Sequence, residues 1–482
     1  MVKIALVNPA KTSKVISAAA PPINLGYLAS YIRKNVENVD VIIIDGLSGQ
    51  NIENELIKFM PDIVGITSTT PTIFEAYRIA DFVRSNLKSV IVMGGVHVSI
   101  MPEEALKHAD IVVEGEGEVA FLEIVNNFSN GKKLEHGIMS RPYIKNLDDI
   151  PSPAWDLMDM EFYIKTKDNS AKSVPYTSTK ARALTIITSR GCPYKCIFCH
   201  NSWKQTPVRY HSAKRLVEDI ETLMEKYKID SIMFADDEFI ANGPRLKEIC
   251  EMIKERGIDK KLVWGCQARA DIINRFGLET IKMMKDAGCK LVAIGFESGS
   301  QKILDILKCN TVTVEDGAKA IKICKDAGIK VGGSFMMGTP TETLEDMLET
   351  LDFVNKNDLD FAGFGITTPY PGTRLWNWCV ELNLLPNDVD YVNLHPHLKA
   401  DNAYIVCNTM PKEKFIKEFN RISKKANEKV MYNYIYKTAY KNRGSFFWEI
   451  MRSFHKYPYY TASFPFRHPK EFFGLVKRII VG

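Results

Sequence analysis

The sequence predicts an α/β protein with two parallel-sheet units. A doubly wound, flavodoxin-like sheet comes first, then a partial (β/α)6 barrel and a mostly helical C-terminal region. Three observations predict it. Short Val- and Ile-rich runs alternate with amphipathic stretches over the first 130 residues. The same rhythm returns over residues 181–390 after a proline-containing break. None of the ten cysteines precedes Cys192, and three then fall within eight residues.

In the first unit, expected over 1–140, the apolar runs are 4–7, 41–44, 63–66, 90–93 and 111–113. They are too short for helices and continuous rather than alternating, as strands buried on both faces of a parallel sheet are. Amphipathic segments at 25–33, 52–60, 73–87, 103–107 and 119–128 supply the covering helices. A ligand of such a sheet sits beyond the carboxyl ends of the strands. Those ends carry Ser68-Thr69-Thr70, Gly94-Gly95-Val96-His97 and Glu114-Gly115-Glu116-Gly117. Glycines there let backbone amides approach a ligand. They also make the tight turns any α/β domain needs, and the residues alone leave both readings open.

Residues 141–180 contain Pro142, Pro151, Pro153 and Pro175 with little periodicity, and read as a linker draped over the surface. The barrel is expected over 181–390, with strands at 184–188, 231–234, 262–265, 291–295, 330–335 and 361–366. Helices at 213–227, 245–255, 278–287, 314–327 and 344–355 follow the first five. Right-handed crossovers make this a partial or full barrel, whose chemistry belongs at the carboxyl ends of its strands. Residues 391–482 are irregular and then mostly helical.

Composition narrows the class. The 482 residues are 45% hydrophobic and 25% charged, as in ordinary globular proteins. No apolar run reaches the roughly 18 residues of a spanning helix, and the first residues enter a strand without a signal-peptide pattern. A cytoplasmic protein is expected. The net charge of +5 hides an asymmetry: residues 411–482 hold 16 Lys and Arg against 5 Asp and Glu, a net of +11. They also hold 17 of the 49 aromatics.

The most specific signal is Ser189-Arg190-Gly191-Cys192-Pro193-Tyr194-Lys195-Cys196-Ile197-Phe198-Cys199, in the loop after the first barrel strand. Thiolates ligate iron–sulfur clusters, and three leave one iron of a four-iron cube open to a small molecule. A three-cysteine zinc site completed by His200 also fits the spacing, and the barrel context argues for the cluster. The seven scattered cysteines read as small core hydrophobes.

The C-x3-C-x2-C run, with an aromatic just before its last cysteine, resembles the signature of the radical S-adenosylmethionine (radical SAM) enzymes. The resemblance implies a [4Fe–4S] cluster on Cys192, Cys196 and Cys199, whose open iron chelates S-adenosylmethionine. Phe198 is then expected against the adenine. Reductive cleavage would release a deoxyadenosyl radical able to take hydrogen from an unactivated carbon. Phe234-Ala235-Asp236-Asp237-Glu238-Phe239 resembles the family's acidic D-D-x-F segment, placing Asp236 and Asp237 near the methionine amino group. Arg269, after the third strand, is expected at its carboxylate, and Glu297 and Ser298, after the fourth, around the ribose. Each of these also fits a helix N-cap or a surface ion pair. Gly338-Thr339-Pro340-Thr341-Glu342-Thr343 and Pro369-Tyr370-Pro371-Gly372-Thr373 are familiar from the same enzymes. They read as turns, the first capping a helix.

A doubly wound domain before this barrel resembles the cobalamin-binding branch of the family, which includes carbon and phosphorus methyltransferases and an anaerobic cyclase. The echoes are Pro21-Pro22-Ile23-Asn24-Leu25-Gly26-Tyr27-Leu28, Gly94-Gly95-Val96-His97 with Pro102-Glu103-Glu104, and Glu114-Gly115-Glu116-Gly117-Glu118. The resemblance covers about 1–390 and implies cobalamin contacts at Ser68, Thr69, Gly94, Gly95, Val96, Glu114 and Gly115. One departure matters. Cobalamin proteins with a histidine lower ligand carry D-x-H-x-x-G after the first strand, and here Asn8-Pro9-Ala10-Lys11-Thr12-Ser13 has no histidine. Cobalamin is then expected with its own base displaced, and a domain that has lost cobalamin fits the same absence. His97 reads as a turn or core histidine rather than a cobalt ligand.

The expectation is an oxygen-sensitive, cobalamin-dependent radical SAM enzyme that methylates an unactivated carbon of a hydrophobic, natural-product-like substrate. Cyclisation, rearrangement or oxidation with the same cofactors is the alternative. A flavodoxin- or ferredoxin-type protein is the expected electron donor. A tRNA methylthiotransferase needs three further cysteines in its N-terminal domain, which has none, and the lone Cys379 and Cys407 argue against a maturase with extra clusters. The basic aromatic tail, from Tyr432 to Phe473, suits either a helical lid or a contact with an anionic membrane surface and a lipid substrate. A nucleic-acid binder is disfavoured by the catalytic motifs.

Overall fold

The computed structural model describes the backbone of residues 1–10, 20–166, 181–200, 207–394 and 403–441, and side chains in those stretches as far as Val430. Strand β1 (Val2–Asn8) lies between β2 (Val39–Asp45) and β3 (Ile63–Thr67). The sheet continues through β4 (Val90–Gly94) and β5 (Ile111–Glu114) to β6 (Gly137–Ser140). Every pairing is parallel. Helices Ile23–Asn35 and Glu118–Ser129 cover one face, and Ile52–Phe59, Ile73–Asn86 and Val96–Ile100 the other. The covering helices change face between β1 and β3, which opens a crevice at the carboxyl edge.

The second sheet begins with β7 (Ala183–Ile186). A two-residue ribbon, β8 (Ser189–Arg190) paired antiparallel with β9 (Arg209–Tyr210), then brackets the cysteine loop. Beyond it come β10 (Ser231–Phe234), β11 (Val263–Ala268), β12 (Cys289–Glu297), β13 (Lys330–Met337) and β14 (Phe361–Ile366). The order is β7-β10-β11-β12-β13-β14, all parallel, and among the described residues no pairing closes β14 onto β7. This is a half-barrel. Phe234, Trp264, Cys266, Val292 and Val331 pack under the helices, while Thr185, Met233, Gly265, Ala293 and Ser334 line the opposite face. Cys250, Cys289 and Cys324 join that core, and of the scattered cysteines only Cys309 is half-buried.

Four features depart from the sequence reading. Strand β6 was not expected, because an edge strand that alternates half-buried and exposed residues carries no apolar run. Residues 141–166 are no surface linker: Leu147, Ile150, Trp155, Met158, Met160 and Ile164 are buried in the core shared by the two sheets. Those residues sit in 3-10 turns and one short helix, Met160–Lys165, with no steady period, so no pattern announces them. Helices Gln301–Lys308 and Arg374–Glu381 are additional. Thr343 caps helix Leu344–Lys356, as expected of the first motif, and Thr373 of the second also caps a helix.

Helix Lys412–Lys441 packs through Phe415, Ile422, Ala426 and Val430 onto the barrel's last elements. The aromatic tail starts on this helix at Tyr432; its side chains and everything after Lys441 lie outside the described residues, as do Lys11, Thr12 and Ser13 of the loop after β1. No helix among the described residues is long and apolar enough to cross a membrane.

Candidate active site

The cysteine loop is anchored from below by Asp236. This carboxylate is 1% exposed and accepts from the Thr188 N–H at 2.9 Å, the Thr188 hydroxyl at 3.1 Å and the Ser189 hydroxyl. Arg245 reinforces the same turn, donating to Thr188 Oγ1 at 2.7 Å. Burial raises the Asp236 carboxyl above its usual range, and these donors together with Arg245 pull it back. Asp236 is thus engaged in holding the loop, while Asp237 is exposed beside it.

From above, the Ile197 N–H donates to Leu307 at 3.0 Å, the Leu375 N–H to Ile197 at 2.9 Å, and the Cys309 thiol to the Lys195 carbonyl at 2.9 Å. Arg269 stacks 3.5 Å from the Tyr194 ring centroid and places Nη1 3.9 Å from Cys196 Sγ. Its other nitrogens donate to Asp271 and Thr311 at 2.9 and 3.0 Å. Cys196 is buried and Cys192 and Cys199 half-buried. Burial pushes the Cys192 and Cys196 thiols up, and Lys308 and Arg269 draw Cys196 back down. Three thiols on one braced loop match the donor set of an iron–sulfur cluster. Among the described residues, no three His, Cys, Asp or Glu side chains are drawn into a closed metal-holding arrangement. Phe198 is half-buried and packs against an apolar group that includes Ile303, Leu307 and Leu375.

The ends of β10 and β12 supply the remaining polar groups. Glu297, at a φ of +62° after a bulge in β12, pairs with Lys308 at 2.9 Å. Ser298 is buried, its hydroxyl 3.2 Å from Thr350 Oγ1 and accepting from the Ser300 N–H. Glu238 is a residue the sequence reading left out. It is 2% exposed; Oε2 accepts from the Arg269 N–H at 2.9 Å, while Oε1 is buried without a partner. Burial pushes its carboxyl up to about 8. A buried acceptor with nothing to accept from needs an explanation, and a cationic ligand group is one. Sequence alone shows three acids in a row, and only burial tells them apart.

In the first unit a cavity of about 290 Å³ opens at the carboxyl ends of β3, β4 and β5. Its walls include Asn24, Leu28, Thr67, Gly94, Gly95 and the 115–118 loop, and it reaches Ile187 and Arg190 at the edge of the half-barrel. Of the expected contacts, Gly94, Gly95 and Gly115 line it, and Ser68, Thr69, Val96 and Glu114 do not. Gly95 has φ +99°, and a Cβ there would lie 2.5 Å from the Ser68 carbonyl. At Gly94 and Gly117 a Cβ would meet nothing closer than 3.8 Å, so bare backbone faces open space there. This is a fitting cradle for a bulky cofactor tail such as that of cobalamin. His97 is buried, 3.1 Å from Thr70 Oγ1 and edge-on to Tyr391, and burial lowers it to about 4. It is a core histidine outside the cavity wall.

Comparison with known proteins agrees with both units. A model for B12 binding domains matches residues 14–125, and one for the Radical SAM superfamily matches residues 186–354. A Pyrococcus horikoshii protein described as an uncharacterized methyltransferase is 38% identical over 427 residues, covering 83% of this chain and 88% of that one. Bacteriochlorophyllide d C-8(2)-methyltransferase of Chlorobaculum tepidum is 31% identical, covering 70% and 73%. The anaerobic magnesium-protoporphyrin IX monomethyl ester cyclase of Rubrivivax gelatinosus is 30% identical, covering 74% of this chain but 66% of its own length. Among solved structures, the radical S-adenosylmethionine methyltransferase TsrM from Kitasatospora setae superposes with a TM-score of 0.63 at 19% identity, covering 79% of this chain and 75% of that one. The likeness to TsrM concerns the fold.

Proposed function

The chain belongs to the radical SAM superfamily, in the branch with a B12-binding domain, and on that premise we propose that it methylates an unactivated carbon of a small hydrophobic molecule. It is an enzyme, and its cofactors are those of the branch: a [4Fe–4S] cluster, S-adenosylmethionine and cobalamin. The observation that carries the proposal is the cavity, whose walls include Arg190, two residues before the first cysteine of the loop. When bound, the cluster supplies the electron that splits S-adenosylmethionine, and cobalamin supplies a carrier for the methyl group.

The chain's own residues bind and orient. Cys192, Cys196 and Cys199 would hold the cluster, and Asp236 keeps their loop in place through Thr188 and Ser189. Glu238 Oε1 offers its unpaired acceptor to the ammonium of S-adenosylmethionine, with Asp237 beside it. Arg269 holds positive charge against Cys196 and near the carboxylate expected there. Phe198 is proposed against the adenine, Glu297 and Ser298 at the ribose. Gly94, Gly95 and Gly115, which line the cavity, would present backbone to cobalamin.

Cyclisation is the second reading, favoured by the cyclase relative at 30% identity. The two differ in product. Anaerobic incubation with S-adenosylmethionine, reductant, cobalamin and candidate substrates should yield cobalamin-dependent S-adenosylhomocysteine if the chain methylates. Deoxyadenosine with no S-adenosylhomocysteine would favour cyclisation or oxidation. We also propose a flavodoxin- or ferredoxin-type electron donor. The basic aromatic sequence beyond residue 441 supports a contact with anionic membrane and a lipid-like substrate.

A further inference from the structure

Four charged side chains bridge the two units. Glu116 lies in the loop after β5 and Glu118 opens the helix that follows it, and Arg190 and Arg209 lie one on each strand of the β8–β9 ribbon that brackets the cysteine loop. Glu118 Oε1 accepts from Arg190 Nη2 at 2.7 Å, and Glu116 Oε2 accepts from Arg190 Nη1 at 3.1 Å. The same Glu116 oxygen accepts from Arg209 Nη1 at 3.2 Å, and its other oxygen pairs with Arg209 Nη2. Arg209 also donates to the Ile144 carbonyl at 2.6 Å and lies 4.3 Å over the Tyr143 ring. The Glu118 and Arg209 side chains are each 7% exposed.

We infer that this bridge is a positioning device that couples filling of the cavity to ordering of the cysteine loop, an inference resting on the reading that the cavity takes cobalamin. Three observations carry it. The turn from Gly115 to the helix start at Glu118, which bears both carboxylates, is itself cavity wall, together with Arg190. A ligand in the cavity therefore restrains the carboxylates. The ribbon has two residues per strand, and so short a pairing is not stable by itself. It is held from outside, by Asp236 on Ser189 on one side and by these ion pairs on the other. Glu118 and Arg209 are also largely removed from water, so either of them, on losing its partner, is left uncompensated rather than resolvated. What cobalamin does to the ribbon, the ribbon must do to cobalamin affinity, because the coupling is reciprocal. Glu116 and Glu118 of the Glu114-Gly115-Glu116-Gly117-Glu118 motif thus act on arginines, while Gly115 and Gly117 line the cavity.

The test is amide hydrogen exchange at residues 189–190 and 209–210 in the full, cluster-reconstituted chain, with and without hydroxocobalamin. Wild type is compared with Glu118→Gln and Arg209→Gln, and iron load is measured for each. In wild type, cobalamin should slow exchange at the ribbon by about tenfold. In both variants the slowing should fall below about twofold and cobalamin should bind about tenfold more weakly, with iron load kept. If Arg209→Gln loses iron, Glu118→Gln, which leaves Glu116 on Arg209, carries the comparison. Equal slowing in wild type and variants would overturn the coupling, as would cobalamin uptake by wild type with no slowing. Failure of wild type to take up cobalamin would instead overturn the reading of the cavity, and the coupling with it.

Discussion

Lys308 Nζ lies 2.9 Å from Glu297 Oε1, and their side chains are only 7% and 10% exposed. The pair joins the end of β12 to the last residue of helix Gln301–Lys308, whose Leu307 carbonyl holds the cysteine loop at Ile197. Gly295 is bare for the same reason: a Cβ there would collide with the Glu297 carboxylate. Removing Lys308 leaves a buried carboxylate with no counter-charge. Lys308→Met should therefore cost about 3–5 kcal/mol of stability in anaerobic urea unfolding. The double variant Glu297→Gln with Lys308→Met should recover most of it.

Gly95 tests the cavity. Its φ of +99° is reserved for glycine, and a Cβ would press on the Ser68 carbonyl and amide at 2.5 and 2.7 Å. Gly95→Ala should cost about 1–3 kcal/mol of local strain and displace the β3 and β4 loops. Cobalamin binding should weaken at least about tenfold, corresponding to about 1.4 kcal/mol, while iron load is unchanged. Unchanged cobalamin binding would place the cofactor elsewhere.

Glu342 is fully buried, and its Oε2 accepts from the Thr339 N–H at 2.9 Å and from Gly338. Burial outweighs those donors and lifts its carboxyl to about 7. The folded state therefore holds a proton that the unfolded state releases. Stability from this group is full below the ordinary carboxylate range and is lost as pH rises to about 7. Wild type should lose about 1–3 kcal/mol between pH 5 and 8 from this group, and Glu342→Gln should flatten that slope. An unaltered slope in the variant would show that Glu342 titrates normally.

The tail proposal needs a cut chosen by packing. Ending the chain near Met410 would strip away Phe415, Ile422 and Ala426, which are fully buried. A chain ending at Lys441 keeps that helix. Anionic liposomes should carry the full chain upward in flotation and leave the shortened chain behind. Equal behaviour of the two would remove the membrane contact.

The strands and the cysteine loop were legible because their signals are local. Residues 63–66 and 111–113 are unbroken Val and Ile runs, or nearly so, and the C-x3-C-x2-C spacing needs no tertiary context. What escaped depends on distant neighbours. Asp236, Asp237 and Glu238 are chemically alike in sequence, yet one anchors a loop, one is exposed and one is buried with a free acceptor. Glu116 and Glu118 gain their role from arginines 74 and 72 residues away. Tyr27 stands in sequence only within the Pro21–Leu28 run, and its hydroxyl reaches the Ile187 carbonyl across the two units at 3.3 Å. Strand β6 escaped because a half-buried edge strand has no apolar run, and the strap at 147–164 because its burial follows no steady period.

If one chain holds both metals, cobalt and iron should be retained together after anaerobic reconstitution with iron, sulfide and cobalamin followed by gel filtration. About one cobalt and about four irons per chain are expected, with iron lost and cobalt kept when Cys192, Cys196 and Cys199 are all changed to alanine. Negligible cobalt beside a full iron load would contradict this expectation.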